Sequence, residues 1–115
     1  MIATSGTAIS LGNLIVDELG ESKQKMHGYK FNRKDLNEVL ERLIKMQVSE
    51  IKKIPTLSER RAEIIIPGAL ILNTSMEMLN FNELTISERS LREGLVVDWM
   101  LRKGIIKNEL NIQSN

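Results

Sequence analysis

Pro67, set inside the most apolar run of the chain, limits what this sequence can fold into more than any other residue. The run spans residues 55–72. Thr56 and Glu59 have the Ser/Thr-x-x-Glu spacing of a capping box, which predicts a helix beginning just after Thr56. Pro67 has no N–H for the Glu63 carbonyl and biases Ile66 toward an extended conformation, so that helix is expected to stop there. Proline suits the first position of a new helix, and residues 68–79 read as that second helix. Ala62, Gly68 and Ala69 are small enough to let the two approach closely. A buried, kinked helix pair accounts for the apolar residues, but not for Arg60 and Arg61. Both fall in the first turn, where the helix dipole disfavours a cation. A partner is therefore expected beside them, either a buried carboxylate or an anionic ligand such as phosphate, which the guanidinium fork fits.

Upstream, Ile2 to Thr4 read as the end of a strand. Ser5-Gly6-Thr7 turns into a helix with apolar Ala8, Leu11, Leu14, Ile15 and Leu19, stopped by Gly20. Residues 21–30 are polar and basic, the most loop-like stretch and the one expected to move most. Asn32 is placed to cap the next helix, with Asp35 at its third position and Phe31 ready to staple onto Leu36. Leu36, Val39, Leu40, Leu43 and Ile44 form its apolar stripe. Glu38–Arg42 and Glu41–Lys45 are outer-face pairs, each worth about 0.2–0.5 kcal/mol. A short helical piece over residues 48–54 leads to Pro55. Further on, Leu84 to Ser87 alternates as a strand. Ser90 and Glu93 form a capping box for a helix carrying Leu91, Leu95, Val96, Trp99 and Met100 and stopped at Gly104. Two strands this far apart, each feeding a helix, are expected to pair in parallel. A sheet of two parallel strands is a poor structure alone, so further strands are expected before Met1.

A length of 115 residues suits one domain, divided here into residues 1–106 and a polar tail, 107–115. The net charge of +1 implies no strongly charged partner for the surface as a whole. Between Glu21 and Lys53 the chain is nonetheless basic, with Lys23, Lys25, Lys30, Arg33, Lys34, Arg42, Lys45, Lys52 and Lys53. With 3% aromatic residues a base-stacking surface is not expected, and neither is specific nucleic-acid binding. Cysteine is absent and His27 is the one histidine, which excludes disulfides, thiolate metal sites and histidine triads. No signal peptide or membrane-length apolar run is present, so a cytoplasmic setting is expected.

The main candidate for chemistry is the turn at Ser5, Gly6 and Thr7. A glycine turn at a strand end exposes N–H groups at a helix N-terminus, which attracts anions. The same small residues also cap helices that bind nothing. No P-loop, dinucleotide fingerprint or zinc spacing occurs.

Three stretches carry a resemblance when taken together: the turn from Thr4 to Ala8, the Glu59-Arg60-Arg61-Ala62 to Pro67-Gly68-Ala69 run, and the Leu84 to Gly94 run ending Leu91-Arg92-Glu93-Gly94. In this order they resemble the exopolyphosphatase / guanosine pentaphosphate phosphatase family of the actin-like ATPase superfamily. The resemblance covers roughly residues 2–101 and implies an α/β family fold. In this chain it would be a mostly α, incomplete ribonuclease H-like (actin-like) domain with two short parallel strands and about five or six helices, the second half of the family's second domain. It implies hydrolysis of terminal phosphates of polyphosphate or guanosine pentaphosphate, with magnesium in the complete enzyme and none bound by this chain alone. Ser5, Gly6, Thr7 and Arg61 are the implied ligand-binding residues, with Arg60, Arg92 and Glu93 beside them. No catalytic or metal-binding residue is assigned here, because the family's first domain and the opening loop of its second match nothing in this chain. Ser90 stands where the family usually has glycine.

The expectation is therefore one wall of a phosphate-binding cleft, inactive alone. The competing reading is a non-catalytic interaction module, self-associating through an exposed sheet edge.

Overall fold

The computed structural model describes residues 1–22 and 25–108. Its elements are β1 (Ile2–Ala3), α1 (Gly6–Glu18), β2 (Lys30–Asn32), α2 (Arg33–Lys45), α3 (Val48–Ile51), α4 (Glu59–Met78), β3 (Glu83–Ile86) and α5 (Leu91–Arg102). The described chain is mostly helical. β3 is the middle strand of a mixed sheet ordered β1-β3-β2. It pairs in parallel with β1, Ile2 opposite Thr85 and Ala3 opposite Ile86, as expected from strands that each feed a helix. The antiparallel β2, with Phe31 opposite Leu84, was not legible in the sequence. It is three residues long, and its last residue doubles as the cap of α2: Asn32 Oδ1 accepts from Asp35 N at 2.8 Å.

α1, α2 and α4 pack on one another, and α1 and α2 also pack on the sheet. Leu11, Leu14 and Ile15 of α1, Leu36 and Leu43 of α2, Ile65 and Met76 of α4, and Leu84 and Ile86 of β3 are wholly buried. Arg33 ties the start of α2 to the second half of α4, donating to Asn73 Oδ1 at 3.1 Å and meeting Glu77 at 3.2 Å. Burial first, then the nearby carboxylates Glu21 and Asp35, push the Tyr29 phenol above its ordinary pKa.

The expected pair of helices meeting at Pro67 is one continuous helix of 20 residues. Proline in a helix interior costs about 3 kcal/mol, whereas burying one Ile or Met side chain returns about 1.5–3 kcal/mol. Ala62, Ile65, Ala69 and Met76 are buried on one face on both sides of Pro67, which outweighs the lost hydrogen bond. Pro67 and Glu63 are both exposed residues, so the missing hydrogen bond does not interrupt the buried face. The cap is also two residues later than expected. Ser58 Oγ accepts from Arg61 N at 3.3 Å, and Thr56 Oγ1 is buried with no hydrogen-bond partner.

Other expectations need correction. Ile44 belongs to the periodic stripe of α2 yet is 56% exposed. Arg42 pairs with Glu18 of α1 at 3.8 Å rather than with Glu38 of its own helix. α5 has its expected bounds, but none of its apolar residues is buried. The radius of gyration, 16.9 Å, accordingly exceeds the roughly 13 Å of a compact domain of about 100 residues. Gly20 and Gly104 end α1 and α5 with φ of 66° and 68°, in the left-handed region that glycine enters freely. Lys23 of the basic segment and tail residues 109–115 lie outside the described residues. Among the described residues, no helix is long and apolar enough to cross a membrane.

Candidate functional site

The site forms where the side chain of Arg61, near the start of α4, reaches over the start of α1. β1 ends at Ala3, whose carbonyl accepts from Ser87 N at 2.8 Å, and this bond to β3 fixes where the chain turns into α1. Ser5 caps that helix, its Oγ accepting from Ala8 N at 3.2 Å. Gly6 and Thr7 are the first two residues of α1, and N–H groups at these positions have no partner within their helix.

α4 packs against α1 at two points that need glycine. A Cβ built on Gly68 would lie 2.7 Å from Thr7 Cγ2 and 3.1 Å from its Oγ1. A Cβ built on Gly6 would lie 2.0 Å from Nη2 and 2.5 Å from Cζ of Arg61. The Arg61 guanidinium therefore lies directly over the first residue of α1. Beside it, Ser58, Arg60, Arg61 and Ile64 line an open depression of about 310 Å³.

The electrostatics of this corner are one-sided. The N-terminus of α1 brings a partial positive charge, the Arg61 guanidinium lies over it, and Arg60 lines the depression beside Arg61. Among the described residues no carboxylate lies within ion-pair distance of Arg60 or Arg61. A structural ion pair, one of the two arrangements expected from the sequence, is thus not what holds these arginines. The lining offers donors and no anionic acceptor, which suits an anion with several oxygens. Arginine, a serine hydroxyl and backbone N–H groups are poor ligands for magnesium, a hard cation that takes oxygen donors, usually carboxylates. Among the described residues no group of three or more His, Asp or Glu side chains is placed to hold a metal ion. The donors of this corner do not match what magnesium takes.

Family membership is decided by the comparisons with known proteins. The family model of the Ppx/GppA phosphatases matches residues 2–103, nearly the whole chain. This chain belongs to the Ppx/GppA phosphatase family. Its fold is that of solved family members. The Aquifex aeolicus Ppx/GppA protein superposes with a TM-score of 0.79 at 24% identity, over 89% of this chain and 34% of that one. A type II variant of the Aquifex aeolicus Ppx/GppA phosphatase gives 0.78 at 26% identity, over 87% and 34%. An exopolyphosphatase from Cytophaga hutchinsonii gives 0.73 at 24% identity, over 90% and 33%. The chain thus spans about a third of the length of these relatives and has their actin-like fold over that third. A search of curated proteins gave no match.

Of the residues singled out in the sequence, the structure brings Gly6 and Arg61 into contact, with Ser5 and Thr7 flanking Gly6 in the chain and Arg60 lining the depression beside Arg61. Ser5 already serves as a cap, and the Thr7 side chain faces α4 at Gly68. Arg92 and Glu93 stand at the start of α5 and engage each other, Arg92 Nη2 to Glu93 Oε1 at 3.0 Å. Glu93 also accepts from Ser90 N at 2.8 Å, and this backbone bond is the main reason its carboxyl is lowered to about 2. Ser58 and Ile64 were missed as lining residues. The signal for Ser58 was present, a hydroxyl three residues before Arg61, but the Thr56–Glu59 spacing competed for the same helix start.

Proposed function

We propose that this chain supplies one wall of the phosphate-binding cleft of a phosphatase that releases terminal phosphates from inorganic polyphosphate or guanosine pentaphosphate. The observation that carries the reading is the Arg61 guanidinium lying over Gly6 at the start of α1 with no carboxylate partner among the described residues. In hydrolysis of a phosphoanhydride, water attacks the terminal phosphorus in line with the leaving oxygen, and the charge spreads over the surrounding oxygens. Arg61 and Arg60 would neutralise that charge, and the N–H groups of Gly6 and Thr7 would donate to phosphoryl oxygens. The groups that activate water and hold magnesium would come from the part of the family fold outside this chain, in a cytoplasmic enzyme. The purified chain alone is therefore expected to release no phosphate.

The test pairs activity with binding. Phosphate release from polyphosphate and from guanosine pentaphosphate, with magnesium, is measured for the chain alone; turnover overturns its proposed inactivity. Calorimetry with tripolyphosphate should show Arg61→Ala weakening binding about tenfold, the loss of one charge-assisted contact, with Arg92→Ala unchanged. Equal affinity of Arg61→Ala and the parent chain sinks the site. A non-catalytic interaction module is the second reading, favoured by the uncovered apolar surface of α5.

A further inference from the structure

The pairing of β2 with β3 runs past the start of one strand and the end of the other, and it finishes on a side chain. With Phe31 opposite Leu84, the register puts residue 27 opposite Glu88. Bonded positions alternate along an antiparallel pair, so after Leu84 and Ile86 the next one on this side of β3 is Glu88. Ile86 N donates to Tyr29 O at 2.8 Å, and Gly28 N to Ile86 O at 2.8 Å. Gly28 has φ of 83°, in the left-handed region, and there the backbone leaves the ladder. The last rung is made by an imidazole instead: Glu88 N donates to His27 Nδ1 at 3.2 Å.

An imidazole nitrogen accepts only while it carries no proton, so this bond requires the neutral ring with its proton on Nε2. Once the ring is charged, both nitrogens are donors, and Nδ1 would aim a proton at the Glu88 N–H. Histidine is the side chain whose charge ordinarily changes between about pH 5 and 8. His27 is exposed, so a charged ring can turn out to water. The charged side chains on the two facing segments are Lys25 on its own and Glu88 and Arg89 on the other. Tyr29, two residues on, meets Glu21 at 3.5 Å. On the opposite edge of β3, Ser87 N donates to Ala3 O at 2.8 Å, a bond that the ring's charge does not touch. We propose that His27 is a pH-sensitive latch: its neutral imidazole holds the connection between β3 and α5 against the loop before β2, and protonation releases residues 88–90. The proposal uses neither the Arg61 corner nor the phosphate reading, and its readouts are local to His27 and Glu88.

The experiment is a nuclear magnetic resonance titration of the whole chain across the window in which histidine changes charge. His27 is the one histidine, so its ring signals are unambiguous. Glu93, its carboxyl lowered to about 2, stays charged throughout. The ring nitrogens should report the Nε2–H tautomer at the alkaline end. The Glu88 amide should titrate with the same midpoint as the ring. On protonation its protection against exchange, corrected for the intrinsic rate, should fall about fivefold, the loss of one ordinary hydrogen bond. The amides of Arg89 and Ser90 should gain fast motion over the same range. His27→Ala should give the low-protection state at both ends. Glu88→Gln, which removes the carboxylate but keeps the amide, should follow the parent chain. An Nδ1–H tautomer in the neutral ring overturns the proposal. So does a Glu88 amide that does not follow the ring, a Glu88 response that persists in His27→Ala or vanishes in Glu88→Gln, or unchanged motion at Arg89 and Ser90.

Discussion

The Arg61 guanidinium occupies the space that a side chain at residue 6 would need, its Nη2 lying 2.0 Å from a Cβ built on Gly6. One substitution at residue 6 therefore acts on the arginine without removing it. Gly6→Ala should push the guanidinium off the start of α1. The backbone at Gly6 is not in the left-handed region and the displaced group is the tip of a flexible side chain, so stability should change by less than about 1 kcal/mol. Tripolyphosphate affinity should nevertheless fall about tenfold, as for Arg61→Ala. Calorimetry and thermal melting together check this; lost stability with unchanged affinity would count against the site.

Gly68 poses the opposite case. Its crowding atom is the methyl of β-branched Thr7, which is stiff about χ1. Gly68→Ala gains about 1 kcal/mol of helix propensity but incurs about 1–3 kcal/mol of overpacking, so a net loss is expected. Adding Thr7→Ala should restore most of it. Urea unfolding of the four combinations measures the coupling, which should lie between about 0.5 and 3 kcal/mol.

Pro67 offers a stabilising change. Alanine there restores the N–H that the Glu63 carbonyl lacks, and Pro67 is exposed, so no packing is lost. The gain, tempered by the freer unfolded chain, should be about 1–2 kcal/mol. A lower urea midpoint for Pro67→Ala would show that proline holds a bend that α4 requires.

Glu93 sets a pH dependence at the start of α5. Its carboxyl is lowered to about 2, chiefly by the bond from Ser90 N and then by further bonds to its own N–H, Arg92 and the Ser90 side chain. A depressed acid stabilises above its unfolded value, near 4.5, and the contribution is lost as pH falls through about 2. Carbon-detected titration should therefore show the α5 cap intact at pH 4.5 and released as pH approaches 2. A midpoint near 4.5 for Glu93 would contradict the cap geometry.

Local rules carried much of the fold. Asn32 and Ser90 cap the helices they were expected to cap, and the glycine stops at Gly20 and Gly104 hold. These depend on neighbours a few residues away and need no tertiary information. Pro67 misled because its cost is local while its compensation, Ile65 and Met76 buried against other elements, is not. Ile44 misled for the reverse reason: periodicity shows that a face is apolar, not that a partner covers it. For the site, residue types pointed to Gly6 and Arg61 separately. Their contact depends on how α4 crosses α1, which no short spacing encodes.

The pairing of β1 with β3 has a consequence for the order of folding. Thr85 N donates to Met1 O at 2.9 Å, and Ser87 N to Ala3 O at 2.8 Å, so the strand that launches α1 is fastened by nearly the last element of the core. Contacts this distant in sequence form slowly, because the entropy of closing the long intervening loop must be met before they reward it. On a ribosome, the Ser5-Gly6-Thr7 turn emerges before β3 and waits for it, so it takes its final position only once β3 has been made.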